Sequence, residues 1–248
     1  MVALVTGWQW HPLLGATLLA SGLGHAAVWW RWPERPRPLV PLMAWWGGLL
    51  AVAIAACSRL DPLSDARLSA HMVQHEVLTF AAAPLLVVGM RPVTLALLPR
   101  LGSPVARWGH ALTRPRVTWV LAAVTLWVWH WPAFYDCALA HPVVHDVEHA
   151  TLLTAYALYW SPFVAFGYAV AALRTDAART LYLATGGTQS GLLGALLAFK
   201  GTAVYPHYVG VIASGELALR DQQLAGLIML VSGAAVFVAA APLTLRGK

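Results

Sequence analysis

The chain has 248 residues, of which 59% are apolar and only 10% charged, against roughly 25% charged in an ordinary soluble domain. With a mean hydropathy of +0.65, this sets it apart from soluble globular proteins and reads as one all-α integral membrane domain over residues 1–248, a polytopic bundle of helices about 20 residues long. The net charge of +6 is scattered over loops, so it is a topology signal rather than a nucleic-acid patch, and the two cysteines, Cys57 and Cys137, are too few for a disulfide framework, leaving open one bridge or a pair of soft metal ligands.

In chain order, about seven spans are predicted. The first covers Pro12–Trp30; the preceding MVALVTGWQWHP lacks a basic n-region and a cleavage site, so this span is expected to be retained. The second covers Pro38–Cys57 and the third Ser69–Met90, with Pro84 expected to kink it. Val93–Leu112, with scattered arginines, reads as a cytoplasmic surface helix or loop. The fourth span, Val117–Trp131, is short; Trp127, Trp129 and Trp131, with Trp8 and Trp10 at the N-terminus, read as interface anchors. The fifth, Val143–Phe166, carries Pro162 as a second kink. The sixth, Ala178–Phe199, contains the small and polar run Thr185–Gly191, whose face should turn inward for close packing. The seventh is Leu224–Ala241.

Basic residues orient these spans. Arg31, Arg35, Arg37, Arg91, Arg100, Arg107, Arg114, Arg116, Arg174, Arg179, Arg246 and Lys248 fall on one side, and only Arg59, Arg67, Lys200 and Arg220 on the other. The positive-inside rule then places the N-terminus outside and the C-terminus in the cytoplasm. On that map His11, His71, His75, His130, His141, His145, His149 and His207 gather at the outer side, with only His25 and His110 elsewhere. Asp61, Asp65, Glu76, Asp136, Asp146, Glu148, Glu216 and Asp221 lie at that side too.

His71 and His75 are four residues apart, which puts both imidazoles on one helical face about 6 Å apart along the axis. His145 and His149 repeat the spacing on another span. Two such faces supply three or four nitrogens to one ion, and His130 comes up at the same depth. Imidazole suits copper, zinc, nickel and iron. Nearby acids such as Asp146 and Glu148 could orient the rings or ligate directly. A lone pair of this kind is ordinary in a soluble helix; at membrane depth an ionisable group defaults to a functional reading. Met72 points off the His71 face, and His141 precedes the helix that Pro142 opens. Neutral imidazole is needed for ligation, so metal occupancy is expected to fall below about pH 6.

The stretches SAHMVQHEVLTFAAAPLLVVG, WHWPAFYDCAL with HDVEHATLLTAYALYWSPF, and YPHYV with LRDQQLAGLIMLVSG together resemble the signatures of the CtaG family of cytochrome c oxidase assembly factors, from about residue 60 to 240. The first two spans carry little of the signature. The resemblance implies a multi-pass protein of the bacterial cytoplasmic membrane that helps assemble a haem-copper oxidase, with copper as its ion and an oxidase subunit as its partner. Carried over, the family-like residues are His71, His75, His130, Asp136, His145, Glu148, His149, Tyr205, Asp221 and Gln222, with His141 beside them. A different, single-span periplasmic copper chaperone with cysteine ligands shares the name, and this chain does not resemble it. Two other classes compete. HDVEH is an H-D-x-x-H relative of the zinc protease pattern, with Asp146 as base. A copper channel or a haem protein would also use histidines on several spans, and a channel would continue its ligands to the inner face.

Overall fold

The computed structural model describes residues 11–32, 36–91, 93, 109, 111–164, 173, 175–212 and 214–245. The regular elements among them are helical: α1 (Pro12–Trp30), α2 (Leu39–Cys57), α3 (Leu60–Ala66), α4 (Leu68–Glu76), α5 (Ala83–Gly89), α6 (Pro115–Trp129), α7 (Pro132–Ala140), α8 (Pro142–Val164), α9 (Asp176–Phe199), α10 (Pro206–Ile212) and α11 (Gly215–Leu245). Most of the expected surface segment Val93–Leu112, together with Trp8, Trp10 and His110, lies outside the described residues.

Three stretches are long and apolar enough to cross a membrane: α1, α2 and Leu68–Gly89; α6 and α7 qualify only as a pair bent by 72°. The other long helices, α8 with 23 residues, α9 with 24 and α11 with 31, exceed the roughly 20 residues a crossing takes. Their apolar character is diluted by HDVEH at the start of α8, by the run around Thr185–Ser190 in α9, and by Glu216, Arg220, Asp221 and Gln222 in α11.

The expected distortion at Pro84 has an identifiable cause. Between α4 and α5 the chain makes π-helical turns over Val77–Ala82, just before Pro84. Proline has no N–H for the carbonyl four residues back and its ring crowds that carbonyl, so the wider turns absorb the misfit. The carbonyl of Thr79 in this segment accepts the indole N–H of Trp160 at 3.0 Å, as a freed backbone group in lipid must find a partner. Pro162 lies inside α8. The fourth span differs from the expected single helix over Val117–Trp131: α6 stops at Trp129, His130 caps it, and Trp131 is extended ahead of Pro132, which opens α7. A residue before proline is pushed out of the helical region, so the sequence Trp131-Pro132 builds a corner, with His130 at its inner side. The last helix begins at Gly215, well ahead of the expected Leu224; its exposed first turns hold the Glu216–Arg220 ion pair at 2.6 Å.

Helices α9 and α11 form the most extensive pair. Their backbones meet at Gly194 and Gly226: a Cβ added to Gly194 would lie 2.5 Å from the Gly226 carbonyl oxygen, and one on Gly226 would collide with that of Gly194. Such approach lets van der Waals contact hold helices together where lipid removes the hydrophobic drive. This pair backs one core of Leu68, Met72, Leu126, Tyr135, Leu193, Leu197, Tyr205, Tyr208, Ala225 and Met229. A second core joins Tyr156, Tyr159, Trp160, Tyr182 and Leu183, and a third seats Ala51, Val52 and Ala55 of α2 against Leu78 and Ala82. His25, buried on α1, bonds the Gly89 carbonyl at 2.7 Å and stacks on Trp45 at 4.9 Å, a packing role.

Overpacking costs about 1–3 kcal/mol or more. Gly194→Val and Gly226→Val are therefore each expected to lower the thermal midpoint in detergent by several degrees. Gly15→Val, where nothing lies within 4 Å of the new carbon, should shift it far less.

Candidate metal centre

Four helices converge on one buried cluster. α4 contributes His71 and His75, α8 contributes His145, Glu148 and His149, the corner after α6 contributes His130, and α7 contributes Tyr135. Helical spacing aligns each pair on α4 and α8, and His75 lies one turn below His71 on the face turned to α8. The rings contact one another: His71–His75 at 4.5 Å, His71–His145 at 5.1 Å, His75–His149 at 5.2 Å, His75–His130 at 5.4 Å and His145–His149 at 4.2 Å between centroids. Glu148 stands in the middle, fully buried, with Oε2 3.6 Å from His71 Nε2 and Oε1 3.5 Å from His75 Nε2. One donor atom from each of His71, His145, Glu148 and His149 lies within 4.8 Å of all the others.

Hydrogen bonds fix two of the rings. The Tyr208 hydroxyl donates its only proton to the Ser64 carbonyl at 2.8 Å, so at 3.3 Å it accepts from Nδ1 of His71. His71 is thereby held in the Nδ1–H tautomer with its Nε2 lone pair facing the carboxyl of Glu148. His130 donates Nδ1–H to the Leu126 carbonyl at 2.8 Å, which leaves its buried Nε2 as a lone pair too. Nε2 of His71, His75, His130, His145 and His149 and both oxygens of Glu148 have no hydrogen-bond partner. A buried polar atom left so costs about 1–3 kcal/mol, more for a charged one. Among the described residues no lysine or arginine pairs with Glu148. Lone pairs from imidazoles and a carboxylate that face one another repel unless a cation or a proton lies between them. The donor chemistry fits a borderline transition metal. Ligand bonds of about 2.1 Å allow two donors on one ion to be about 4 Å apart, within a small side-chain adjustment of the spacing here.

The remaining candidates divide. Tyr205 donates to the His130 carbonyl at 3.0 Å and its ring lies on Tyr135 at 4.2 Å, so it supports the corner. Asp136 has one oxygen buried without a partner. Asp221 accepts from the backbone N–H and hydroxyl of Ser69 at 3.3 and 2.6 Å. It thus caps α4, whose own N-cap Arg67 makes no capping bond, and sets a negative charge at that helix start. Gln222 accepts from Val204 N–H at 2.6 Å and donates to the carbonyls of Leu197 and Thr202, both at 3.2 Å. These two residues hold the scaffold instead of joining the cluster. His141 is exposed and donates to the Cys137 carbonyl at 3.1 Å. Cys137 is exposed, Cys57 half-buried, and neither is in a disulfide. Met72 is packed in the apolar core. Asp146 is exposed and lines a cavity outside the cluster. His207 contacts the Asp65 carbonyl at 3.0 Å. Trp127 and Trp129 bond Gln189 and Thr151, each at 2.8 Å, so two of the expected interface anchors are tied to neighbouring helices, while Trp131 is exposed.

Sequence reasoning missed Tyr135, Tyr208 and Asp61. Tyr135 is fully buried with its ring 5.0 Å from His71. Asp61 lies on α3, outside the long helices, and reaches His11 at 3.7 Å and the Gln74 amide at 3.4 Å. Burial raises its carboxyl above the usual range, against the pull of His145 and His11. The available signal was the tyrosines of AFYDC and YPHYV amid outer-side histidines. His130 also walls an apolar groove of about 790 Å³ with Trp131, Leu193, Leu197, Val204 and Tyr205.

Tyr208→Phe removes both the acceptor for His71 Nδ1–H and the donor to Ser64. The expected cost is about 1–3 kcal/mol in unfolding. In selectively ¹⁵N-labelled protein, His71 should show Nδ1–H in the wild type and a mixed tautomer in the variant.

The family model for the cytochrome c oxidase caa3 assembly factor matches residues 23–246. An uncharacterised protein of Mycobacterium leprae (strain TN) is 31% identical over 165 residues, which is 65% of this chain and 23% of that protein. The chain thus aligns with about a quarter of the length of the curated relative it matches. No solved structure matches it. A match that covers residues 23–246 makes this chain a member of the cytochrome c oxidase caa3 assembly factor (CtaG) family.

Proposed function

We propose that this chain is a seven-span protein of the bacterial cytoplasmic membrane, N-terminus outside and C-terminus in the cytoplasm, that binds copper and delivers it to a cytochrome c oxidase subunit during assembly. One observation carries the reading: the donors of His71, His145, Glu148 and His149 lie within 4.8 Å of one another, and among the described residues no lysine or arginine pairs with the carboxylate. His75 and His130 extend the set. Imidazole with one carboxylate suits copper and also zinc or iron; membership in an oxidase assembly family favours copper. The ion is cargo, so the site has to release it, and His130 is the transfer ligand we favour. It touches His75 on one side and the apolar groove on the other, where a lipid-embedded partner segment could approach.

The hydrolase reading loses ground on the placement of Asp146, which is exposed and outside the four-residue group, with Glu148 in its stead.

In cells that depend on this protein, a His71→Ala/His149→Ala chain is expected to leave oxidase copper at least about tenfold lower at equal haem and subunit content. Oxidase fully metallated with the double variant would overturn the proposal. For topology, in a chain lacking Cys57, Cys137 should react with a membrane-impermeant maleimide added outside intact cells, whereas a Lys248→Cys chain lacking both Cys57 and Cys137 should not.

A further inference from the structure

A second cavity touches the cluster through His149 and shares no lining residue with the His130 groove. This cavity, of about 500 Å³, lies between the start of α1, the outer half of α2 and α8, and it is lined by Leu14, Val52, Leu78, His11, Asp146 and His149 among others. His149 is a member of the four-residue group, and its Nε2 is buried and unpartnered. His11 stands at the cavity's mouth as the N-cap of α1, yet makes no capping bond, so its ring is free for another partner. It turns instead to Asp61, with Nε2 3.7 Å from Oδ2 and side-chain exposures of 47% and 23%. Asp61 is aimed by Gln74, which is itself anchored on the Ala55 carbonyl at 2.8 Å. An imidazole and a carboxylate are thus paired at the surface; His11 lines the same cavity as His149, and Asp61 feels the charge of His145.

We infer that His11 and Asp61, with Asp146 on the cavity wall, form an outer cation site that captures a divalent transition metal and passes it to His149 and His145. This rests on the proposal that the buried cluster binds metal. The two cavities differ in kind. The α1-side cavity is lined by one carboxylate, Asp146, and two imidazoles, His11 and His149, with Asp61 paired to His11 beside it; the other groove is walled largely by apolar residues apart from His130 and Lys200. Carboxylates attract a hydrated cation and replace part of its water shell. No methionine or cysteine lines the cavity, and a donor set without sulfur favours Cu²⁺ or Zn²⁺ over Cu⁺. The graded exposure from His11 through Asp61 to the buried cluster gives the ion successive partners as it loses water.

The test is the rate of metal uptake by the full-length, detergent-purified apoprotein. Cu²⁺ at low micromolar concentration is added, uptake is stopped at intervals with excess EDTA, and protein-bound copper is measured after gel filtration. A His11→Ala/Asp61→Asn/Asp146→Asn chain is expected to fill at least tenfold more slowly than wild type but to reach the same final copper content, with the gap narrowing as Cu²⁺ is raised. His11→Ala alone, at an exposed position, should slow uptake in the same direction. Equal rates in wild type and variants would overturn this inference and leave the buried site standing. A lower final content in the triple variant would also overturn it, by making these residues part of the buried site or of the fold. Wild-type protein that takes up no EDTA-resistant copper would remove the buried-site reading, and the outer site with it.

Discussion

Glu148 facing the Nε2 atoms of His71 and His75 is the contact on which the histidine-bearing half of this protein depends. The Tyr208–Ser64 hydrogen bond decides the tautomer of His71 and so turns a lone pair toward the carboxyl. Such a grouping in a low-dielectric interior is unfavourable by itself. Breaking or half-satisfying a buried ionic network costs several kcal/mol in typical cases. The fold tolerates it because the surroundings are rigid. α4 is pinned at its start by Asp221 and bonded through Gln74 to the end of α2, and the α9–α11 contact behind it leaves no room for slack. A site held this firmly suits an ion that must be recognised by donor type, since preorganised ligands select geometry as well as charge.

The same rigidity is interrupted in two chosen places. The π turns over Val77–Ala82 begin immediately after Glu76, and the Trp131-Pro132 corner begins immediately after His130. The first break begins two residues after His75 and the second directly after His130, and both have prolines as their cause. A regular α6 continuing past His130 would carry Tyr135 away; the corner instead returns it to the rings of His71 and His130. Proline thus does positional work in this molecule, setting where a side chain ends up instead of only bending a span.

Much of this was legible in the amino-acid order. The paired HxxxH spacings placed four imidazoles on two facing helices, because helical periodicity is local and robust. The span ends at Trp30, Cys57 and Phe199 were readable for the same reason. What was not legible depended on distant partners. Glu148 looked like one acid among several; only the approach of α4 to α8 makes it central and leaves Asp146, two residues away, on the outside. Asp221 and Gln222 carried the family pattern, yet their role is to cap α4 and clamp the segment before α10, which requires knowing that α11 lies beside both. The fourth span was read as a single helix because its tryptophans suggested anchors, whereas the Trp-Pro step had the stronger claim on the backbone. The start of α11 was placed too late because its polar first turns resemble a loop in composition.

The central claim is that the buried histidines and Glu148 hold a metal ion, and elemental analysis tests it most directly. Detergent-purified protein is loaded with copper, washed with chelator, and compared with a His71→Ala/His75→Ala/His145→Ala/His149→Ala chain. Near-stoichiometric copper in the first and loss of it in the second is the result this site requires. Equal copper in both, or none in either, would contradict it.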